Sequence, residues 1–562
     1  MLIGIDVGGT FTDGVVLDKG RIITFAKEAT DEQELSATLL KVLDRLLSDL
    51  NSDAIARIVL STTLVTNLIV TDRGPRTALL LMPGFGLPQT AYDLAPDTYF
   101  LKGCIDFRGN EVAPPDTQEI LAVINKIKEQ GIKNVAIAGK FSNRSQKHEL
   151  LVKTMLEENY PEASVVISFQ IAQQLNFPRR AFTAYLTART RARWNQFIDD
   201  MQEAMKERHI NAPVHILKAD GGTMLLETAR EHPCETIFSG PAASTVGGLA
   251  LTINDRMNSV VLDVGGTTTD ISLIIEGKPL HASQGAKING KLTHIRSLAV
   301  KSIALGGDSV VCNNAGLLKI GPEREGAAAC FGGQQATITD AFNYLYELQI
   351  GDLSLSAEKM NRISAELDTP VMDLCREVVD KTMGRLQETI TGMFKEWEQE
   401  PAYRVWEIVN RRAFRLDRII GIGAAATVIV PRLAEELNID YLVHQYSPVA
   451  NALGSSAARP TLAVNMHADT QADLFTIDPG GIQGNLGKVR NLQLEDIKEI
   501  TRRYLQDIAA ERGLGEYADE AQFTREEQFN VLSGWDRMGK LFDVGMQIDP
   551  GLINEFKGVD EI

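Results

Sequence analysis

The chain has 562 residues, of which 44% are hydrophobic and 23% charged, and its net charge is −17 at pH 7. One hydrophobic core rarely serves more than roughly 250 residues, so two large domains and a small one are expected. The acidic balance argues against wrapping a nucleic-acid backbone, which calls for clustered Lys and Arg, yet it leaves room for a local nucleotide pocket.

The five cysteines show no CxxC spacing and suit a reducing compartment. The eight histidines form no HExxH, so no zinc site is read. No apolar run approaches the roughly 20 residues that cross a bilayer, and only Met1 precedes the first apolar run. The expectation is a cytoplasmic protein with no signal peptide, no membrane partner and no nucleic-acid partner.

Residues 2–6 are a short apolar run that ends in a glycine turn, within the stretch IGIDVGGTFTD at 3–13. Residues 15–17 and 22–25, separated by Asp18-Lys19-Gly20, read as a hairpin. Thr30 with Gln33 forms a capping box, and Leu35, Leu39, Leu43, Leu46 and Leu50 follow at helical spacing. Further on, 118–131 reads as a helix, 135–138 as a strand, 180–208 as a long helix and 220–222 as a loop. At 261–271 the opening pattern returns as VLDVGGTTTDI, followed by a strand at 271–275 and the turn Glu276-Gly277-Lys278. Asp6, Thr10, Asp13 and Gly20 match Asp263, Thr267, Asp270 and Gly277 at one constant offset, which implies a duplicated α/β domain. Residues 344–406 are helix-rich by pattern. Beyond about Met466, TIDPGGIQGN reads as a linker, 492–512 as a polar helix, and 529–548 as a hairpin turning at Arg537-Met538-Gly539. The expected domains are 1–245, 246–465 and a small α+β module at 466–562.

A strand that ends in Asp-x-Gly-Gly-Thr collects the parts of a phosphate site. Glycines can take φ > 0 and let backbone N–H groups converge on an anion. The threonine adds a hydroxyl, and the aspartate can hold Mg²⁺ through water. Two such turns can grip a polyphosphate from both sides, and phosphoryl transfer needs mainly positioning and charge neutralisation. Asp13 and Asp270 either share that work or order their own turns. RIIGIGAAATVIVPRL, with Gly421, Gly423 and Ala424, reads either as a nucleoside-accepting strand–helix corner or as tight packing. ALGGDSV, with Gly306, Gly307 and Asp308, reads either as a fourth cleft element or as a surface turn.

Taken in order, these motifs resemble the actin, sugar-kinase and heat-shock ATPase superfamily, with 451–454 in a helix that crosses back between the halves. More closely, the chain resembles the hydantoinase A/5-oxoprolinase family through IDVGGTFTD, STTLVTN, GPRTALLLMPGF, GGTMLLETAREHP, SGPAAS, LDVGGTTTDIS, ATITDA and YSPVANALGS, over roughly residues 1–460. The resemblance implies two actin-like (ribonuclease H-like) domains around a nucleotide cleft. It also implies ATP- and Mg²⁺-dependent opening of a cyclic amide, either alone or with a hydantoinase B-like subunit in an oligomer. Under it, Asp6 and Asp263 hold the metal and act in catalysis together with Asp308. Gly8, Gly9, Thr10, Thr12, Gly240, Gly265, Gly266, Thr267, Gly306, Gly307, Gly421, Gly423 and Ala424 contact the nucleotide. Related family activities leave two rival readings: a ketone carboxylase subunit or small-molecule kinase, and a regulatory ATPase acting on a partner protein.

The chain departs from the family pattern on the substrate side. Leu60-Ser61 replaces a His-Gly pair, and EREGAAACFGG keeps Cys330 but loses an acidic, proline-rich surround. Gly307-Asp308-Ser309 stands where relatives carry Gly-Gly-Ser after a glycine, and relatives have a longer carboxy-terminal domain. Three further groups have two readings each. Lys140, Arg144, Lys147 and His148 form either a substrate anion site or a solvated cap, Arg179 and Thr183 either reach the cleft or brace a helix, and Cys330 is either a nucleophile or a buried structural thiol.

Overall fold

The computed structural model describes the whole chain except residues 32–33, 49, 254, 322–324, 400–414, 488–491, 534–535 and 560–562. Leu2–Val7 (β1), Phe11–Asp18 (β2) and Arg21–Ala29 (β3) form the expected meander, with Lys19 and Gly20 at positive φ between β2 and β3. Such a left-handed pair matches the twist of paired strands, which is why a glycine sits there. β1 pairs antiparallel with β2 and parallel with Arg57–Thr62 (β4). Val214–Leu217 (β5) and Thr223–Leu225 (β6) complete a sheet of order β6-β5-β4-β1-β2-β3. Helix Leu35–Leu47 (α1) buries Leu35, Leu39, Val42, Leu43 and Leu46 against it. A Cβ on Gly14 of β2 would lie 2.6 Å from Val42, so this close approach needs the bare backbone. The predicted capping box does not start α1: Glu34 is its N-cap and makes no side-chain cap bond, and Gln33 lies outside the described residues.

Between β4 and β5 the chain inserts an all-parallel four-stranded sheet: Ser164–Ile167, Asn134–Gly139, Thr77–Met82 and Asp97–Phe100, in that spatial order. The 31-residue helix Phe177–Glu207 (α2) packs beside it, with the capped helix Thr117–Glu129 on its other side.

The second half repeats the first hairpin. Ser259–Val264 (β7) runs antiparallel to Thr269–Ile275 (β8) and parallel to Arg418–Ile422 (β9). Asp6 faces Asp13 across the first pair, and Asp263 faces Asp270 across the second. Each turn is closed by the same bond: the Gly8 N–H donates to Phe11 O and the Gly265 N–H to Thr268 O, both at 3.0 Å. The third strand is where the repeats diverge, nine residues in the first half and only Lys278–Pro279 in the second. Helices Ile338–Tyr346, Leu353–Leu367 and Val371–Glu398 supply the second core, and the end of the predicted helical stretch falls outside the described residues.

Two helices of small residues, Ser239–Leu251 (α3) and Ala450–Ala457 (α4), lie between the halves. Their backbones touch: a Cβ on Gly247 would lie 2.3 Å from Ala450 O, and one on Gly454 2.3 Å from the Gly247 nitrogen. On the other side, a Cβ on Gly4 of β1 would lie 2.0 Å from Ala452 O. The glycines and alanines let one helix pair reach both sheets at backbone distance.

The C-terminal part is a five-stranded sheet of Ile482–Gly484, Leu474–Asp478, Leu462–Asp469, Asp536–Ile548 and Gln522–Ser533, covered by helix Leu494–Glu511. The stretch read as a linker is instead a tight turn: Gly480 and Gly481 take positive φ and fold Ile482–Gly484 back on Leu474–Asp478. The last hairpin closes at the Ser533–Asp536 pair, ahead of the expected turn, and its turn residues lie outside the described ones. Gly539 pairs with Val531 inside the strand, where Thr470 and Gln471 approach too closely for a side chain.

Candidate functional site

The parallel register places Asp6 at the C-terminal end of β1, beside Ser61 of β4, and Asp263 at the matching end of β7. Asn451, in the first turn of α4, reaches both: its Nδ2 donates to Asp263 Oδ2 at 3.0 Å and to Asp6 Oδ2 at 3.4 Å. Ser244 of α3 donates to the same Asp263 oxygen at 2.5 Å. One side-chain amide thus spans the two repeated turns, which face each other across a narrow gap.

The gap is strongly acidic. Burial pushes the Asp6 carboxyl up to about 7, with the charges of Asp13 and Asp263 adding to the shift. Burial and Asp263 push Asp270 up to about 6. Asp13 is raised by burial, although Lys27 at 2.8 Å opposes the shift. Asp6 Oδ1 and Asn451 Oδ1 are buried and accept no hydrogen bond of ordinary geometry. Orphaned hard oxygens beside mutually repelling carboxylates fit Mg²⁺. No group of three or more His, Cys, Asp or Glu among the described residues could hold a metal ion.

The turns offer backbone N–H groups, though not through left-handed glycines. None of Gly8, Gly9, Gly265 and Gly266 takes a φ in that region, and the N–H groups of Gly8 and Gly265 are used in closing their own turns. Gly9 is exposed, and a Cβ there would meet nothing within 4 Å. Nothing in the fold itself requires a glycine there. Thr10 and Thr267 are half-buried in the same turns. At the start of α3, Phe238 is left-handed with φ 62° and Gly240 is open on its Cβ side. The Ser239 hydroxyl is anchored on Thr62 O at 3.0 Å and accepts from Ser61 at 3.4 Å. The first N–H groups of a helix have no intrahelical partner and favour anions, so α3 gives the gap a third wall.

Gly423, with φ 84°, lies against the second carboxylate: its Cβ would be 2.6 Å from Asp263 Oδ1. Ala424 beside it is exposed. Five other expected site residues make contacts within the protein. Gly421 is enclosed by Val430, Val443 and Ala426, so it packs β9 against the following helix instead of receiving a nucleoside. Gly306 and Gly307 are buttresses: the Gly307 and Asp308 N–H groups donate to Gly265 O and Gly266 O at 2.9 and 2.8 Å, and a Cβ on Gly306 would strike Gly266. Thr12 is fully buried and bonded to Thr30, on the closed side of its turn. The Asp308 carboxylate accepts from the Ala328 N–H at 3.2 Å, which ties it to the Cys330 loop.

Cys330 is structural. Asp340 Oδ1 accepts its N–H at 2.9 Å, and burial with the Asp340 charge pushes the thiol up to about 11, the wrong direction for a nucleophile. Arg179 and Thr183 brace α2 against the loop that carries Gln284 and His294. Lys140 donates to Phe85 O and His148 bonds Glu111, both within the inserted subdomain. Ser61, Ser244 and Asn451 also border the gap; the sequence motifs contain them but give them no role there. Two signals point to them: the Leu60-Ser61 departure, and the lone amide in the small-residue stretch ANALGSSA.

The hydantoinase/oxoprolinase profile matches residues 180–464, and the profile for the N-terminal region of that family matches residues 2–160. The chain belongs to the hydantoinase/oxoprolinase family. It is 25% identical to the caprolactamase subunit alpha of Pseudomonas jessenii over 472 residues, which is 77% of this chain and 67% of that one. It is also 25% identical to the 5-oxoprolinase of Saccharomyces cerevisiae over 533 residues, 80% of this chain but only 40% of that longer protein. Among solved structures, a nucleotide-free acetone carboxylase superposes with TM-score 0.70 at 17% identity, covering 98% of this chain and 87% of that one. The ATP-dependent caprolactamase of Pseudomonas jessenii superposes with TM-score 0.69 at 19% identity, covering 97% and 87%. The fold is thus the mixed α/β fold of those two enzymes. No helix among the described residues is long and apolar enough to cross a membrane.

Proposed function

We propose that the protein is the ATP-using component of a cyclic-amide hydrolase, built from two actin-like halves (1–245 and 246–465) with a C-terminal module (466–562). The observation that carries this reading is the single amide of Asn451 joining Asp6 and Asp263 across the gap between the repeated turns. In the proposed site the turn at Gly8–Thr10, the turn at Gly265–Thr267 and the start of α3 at Gly240 surround the phosphates, while Gly423 and Ala424 border the nucleoside. Asp6 and Asp263 would hold Mg²⁺ through water, and the bound ion supplies neutralisation of the charge on the transferring phosphoryl group. Ser244 and Asn451 orient the Asp263 carboxylate, which frees its other oxygen for the cleft. Transfer of the γ-phosphoryl group to the amide oxygen, with ADP leaving, makes the ring carbon electrophilic. One water then adds there and its proton passes to the ring nitrogen as the C–N bond breaks, leaving an acyl phosphate, which a second water hydrolyses to the carboxylate and phosphate.

Activation of this kind is chemically apt, because an amide resists hydrolysis until its oxygen becomes a leaving group. Relatives named as subunits, such as the caprolactamase subunit alpha and the acetophenone carboxylase gamma subunit of Aromatoleum aromaticum, support a hydantoinase B-like partner for the hydrolytic half-reaction. The test is ATP turnover with a panel of lactams and hydantoins, with and without the co-expressed partner. Stimulation by a ring amide is expected, and its loss in Asp263→Asn. Stimulation only by a ketone with bicarbonate, or only by a protein with no ring substrate, would refute the assignment.

A further inference from the structure

A second polar cavity of about 100 Å³ lies away from the repeated turns, where all three parts of the chain meet. Lys218 and Asp220 come from the end of β5, Arg296 from the second half, and Asp478 and Arg512 from the C-terminal module. A cavity this size holds far more than one water. Its position is set by strand register. Ile216 pairs with Leu60, and Leu60 with Ile5, so the residues that follow β5 sit at the same sheet edge as Asp6, two strands away. At the usual strand spacing that is roughly 10 Å. In parallel sheets this C-terminal edge is where ligands bind.

The charges inside are unevenly matched. Lys218 is held by two carboxylates, Asp220 at 3.1 Å and Glu235 at 3.3 Å. Asp220 is further fixed by the Gly222 N–H and the Thr461 hydroxyl. That cluster is complete within the protein. The two guanidiniums are held less tightly: Arg296 bonds the neutral amide of Gln547 and lies in the field of Asp220, Asp478 and Glu235, Arg512 lies in the field of Glu235 and Glu511, and neither makes an ion pair at contact distance among the described residues. Asp478, opposite them, is bonded to the Gln173 backbone and lies in the field of Arg296, with no ion pair at contact distance among the described residues. All three side chains are half-buried, so the cavity presents two guanidiniums and one carboxylate to whatever fills it. A phosphate would face Asp220, Glu235 and Asp478 at once. A molecule with a carboxylate at one end and a cationic nitrogen at the other meets both sides.

We propose that this three-way cavity binds a small amino-carboxylate, its carboxylate on Arg296 and Arg512 and its cationic nitrogen toward Asp478. The choice of ligand class rests on the proposed function, because opening a cyclic amide yields a molecule carrying both groups. The C-terminal module supplies Asp478 and Arg512, two of the three recognition residues, and so takes a direct part in binding.

The test is equilibrium binding to the full chain without ATP, using glutamate, 4-aminobutanoate and 6-aminohexanoate, with acetate and inorganic phosphate as controls. At least one amino-carboxylate should bind more tightly than either control. Arg512→Gln should weaken it by about tenfold or more, the usual loss for a hydrogen bond to a charged group. Asp478→Asn should weaken it without improving acetate binding. Arg296 packs against Gln547, so circular dichroism accompanies Arg296→Gln, and the half-exposed Arg512 carries the decision. No binding of any probe, binding unchanged in Arg512→Gln, or equal binding of acetate or phosphate would overturn the proposal. If ring amides fail to stimulate ATP turnover while amino-carboxylate binding survives with the expected variant losses, the proposed function falls and this site stands.

Discussion

Asp6 is predicted to destabilise the fold it serves. Its carboxyl is 4% exposed and pushed up to about 7, against 3.8 without the fold. The folded state therefore holds this proton more tightly than the unfolded one. The stability contributed by the protonated form is fully present below about 3.8 and is lost as pH rises through about 7. The slope for one proton is about 1.4 kcal/mol per pH unit, so the full excursion has a ceiling of about 4 kcal/mol. Asp13 and Asp270, raised for the same reason, act in the same direction, with Lys27 opposing at Asp13. Asp6→Asn removes the charge and keeps an acceptor for Asn451. The variant should unfold at higher urea than the wild type at pH 8, by about 2–4 kcal/mol, and match it near pH 4. Magnesium with ADP should narrow the gap at pH 8 by stabilising only the wild type. ATP turnover should be lost throughout. If the variant is less stable at pH 8, or the wild type shows no loss of stability between pH 5 and pH 8, the reasoning is wrong.

Three further outcomes follow from the geometry. Gly9→Ala should fold normally, since its Cβ meets nothing within 4 Å, yet lower ATP affinity by about tenfold or more through lost backbone approach to charge, measurable by nucleotide titration. Gly454→Ala should cost about 1–3 kcal/mol in urea unfolding, because its Cβ would lie 2.3 Å from the Gly247 nitrogen and the helices must part. Cys330→Ser should leave ATP turnover within about twofold of wild type, as expected for a thiol pushed up to about 11 and thus protonated at neutral pH.

The repeated turns are legible in the sequence because everything that makes them is local: an apolar strand, two glycines, a threonine and a carboxylate in fixed register. The hairpin at Lys19-Gly20 is legible for the same reason. The crossing helix that carries Asn451 is legible, but the bond of Asn451 to Asp6 is not, because it joins residues 445 apart in sequence and exists only once α4 lies between the halves. Gly306 and Gly307 mislead because a glycine pair that buttresses a turn has the same composition as one that touches a ligand. Only the Cβ contacts of the folded chain separate the two. Asp478-Pro479-Gly480-Gly481 looks like a linker on composition, whereas strand pairing on either side makes it a turn.

The crossing of α3 and α4 has a mechanical consequence. Where Gly247 meets Gly454 the two backbones touch directly, so the position of one helix fixes that of the other. Asn451 sits one helical turn from that contact, with its single amide gripping a carboxylate from each half. The spacing of the two carboxylates is therefore tied to the seat of α4 on α3.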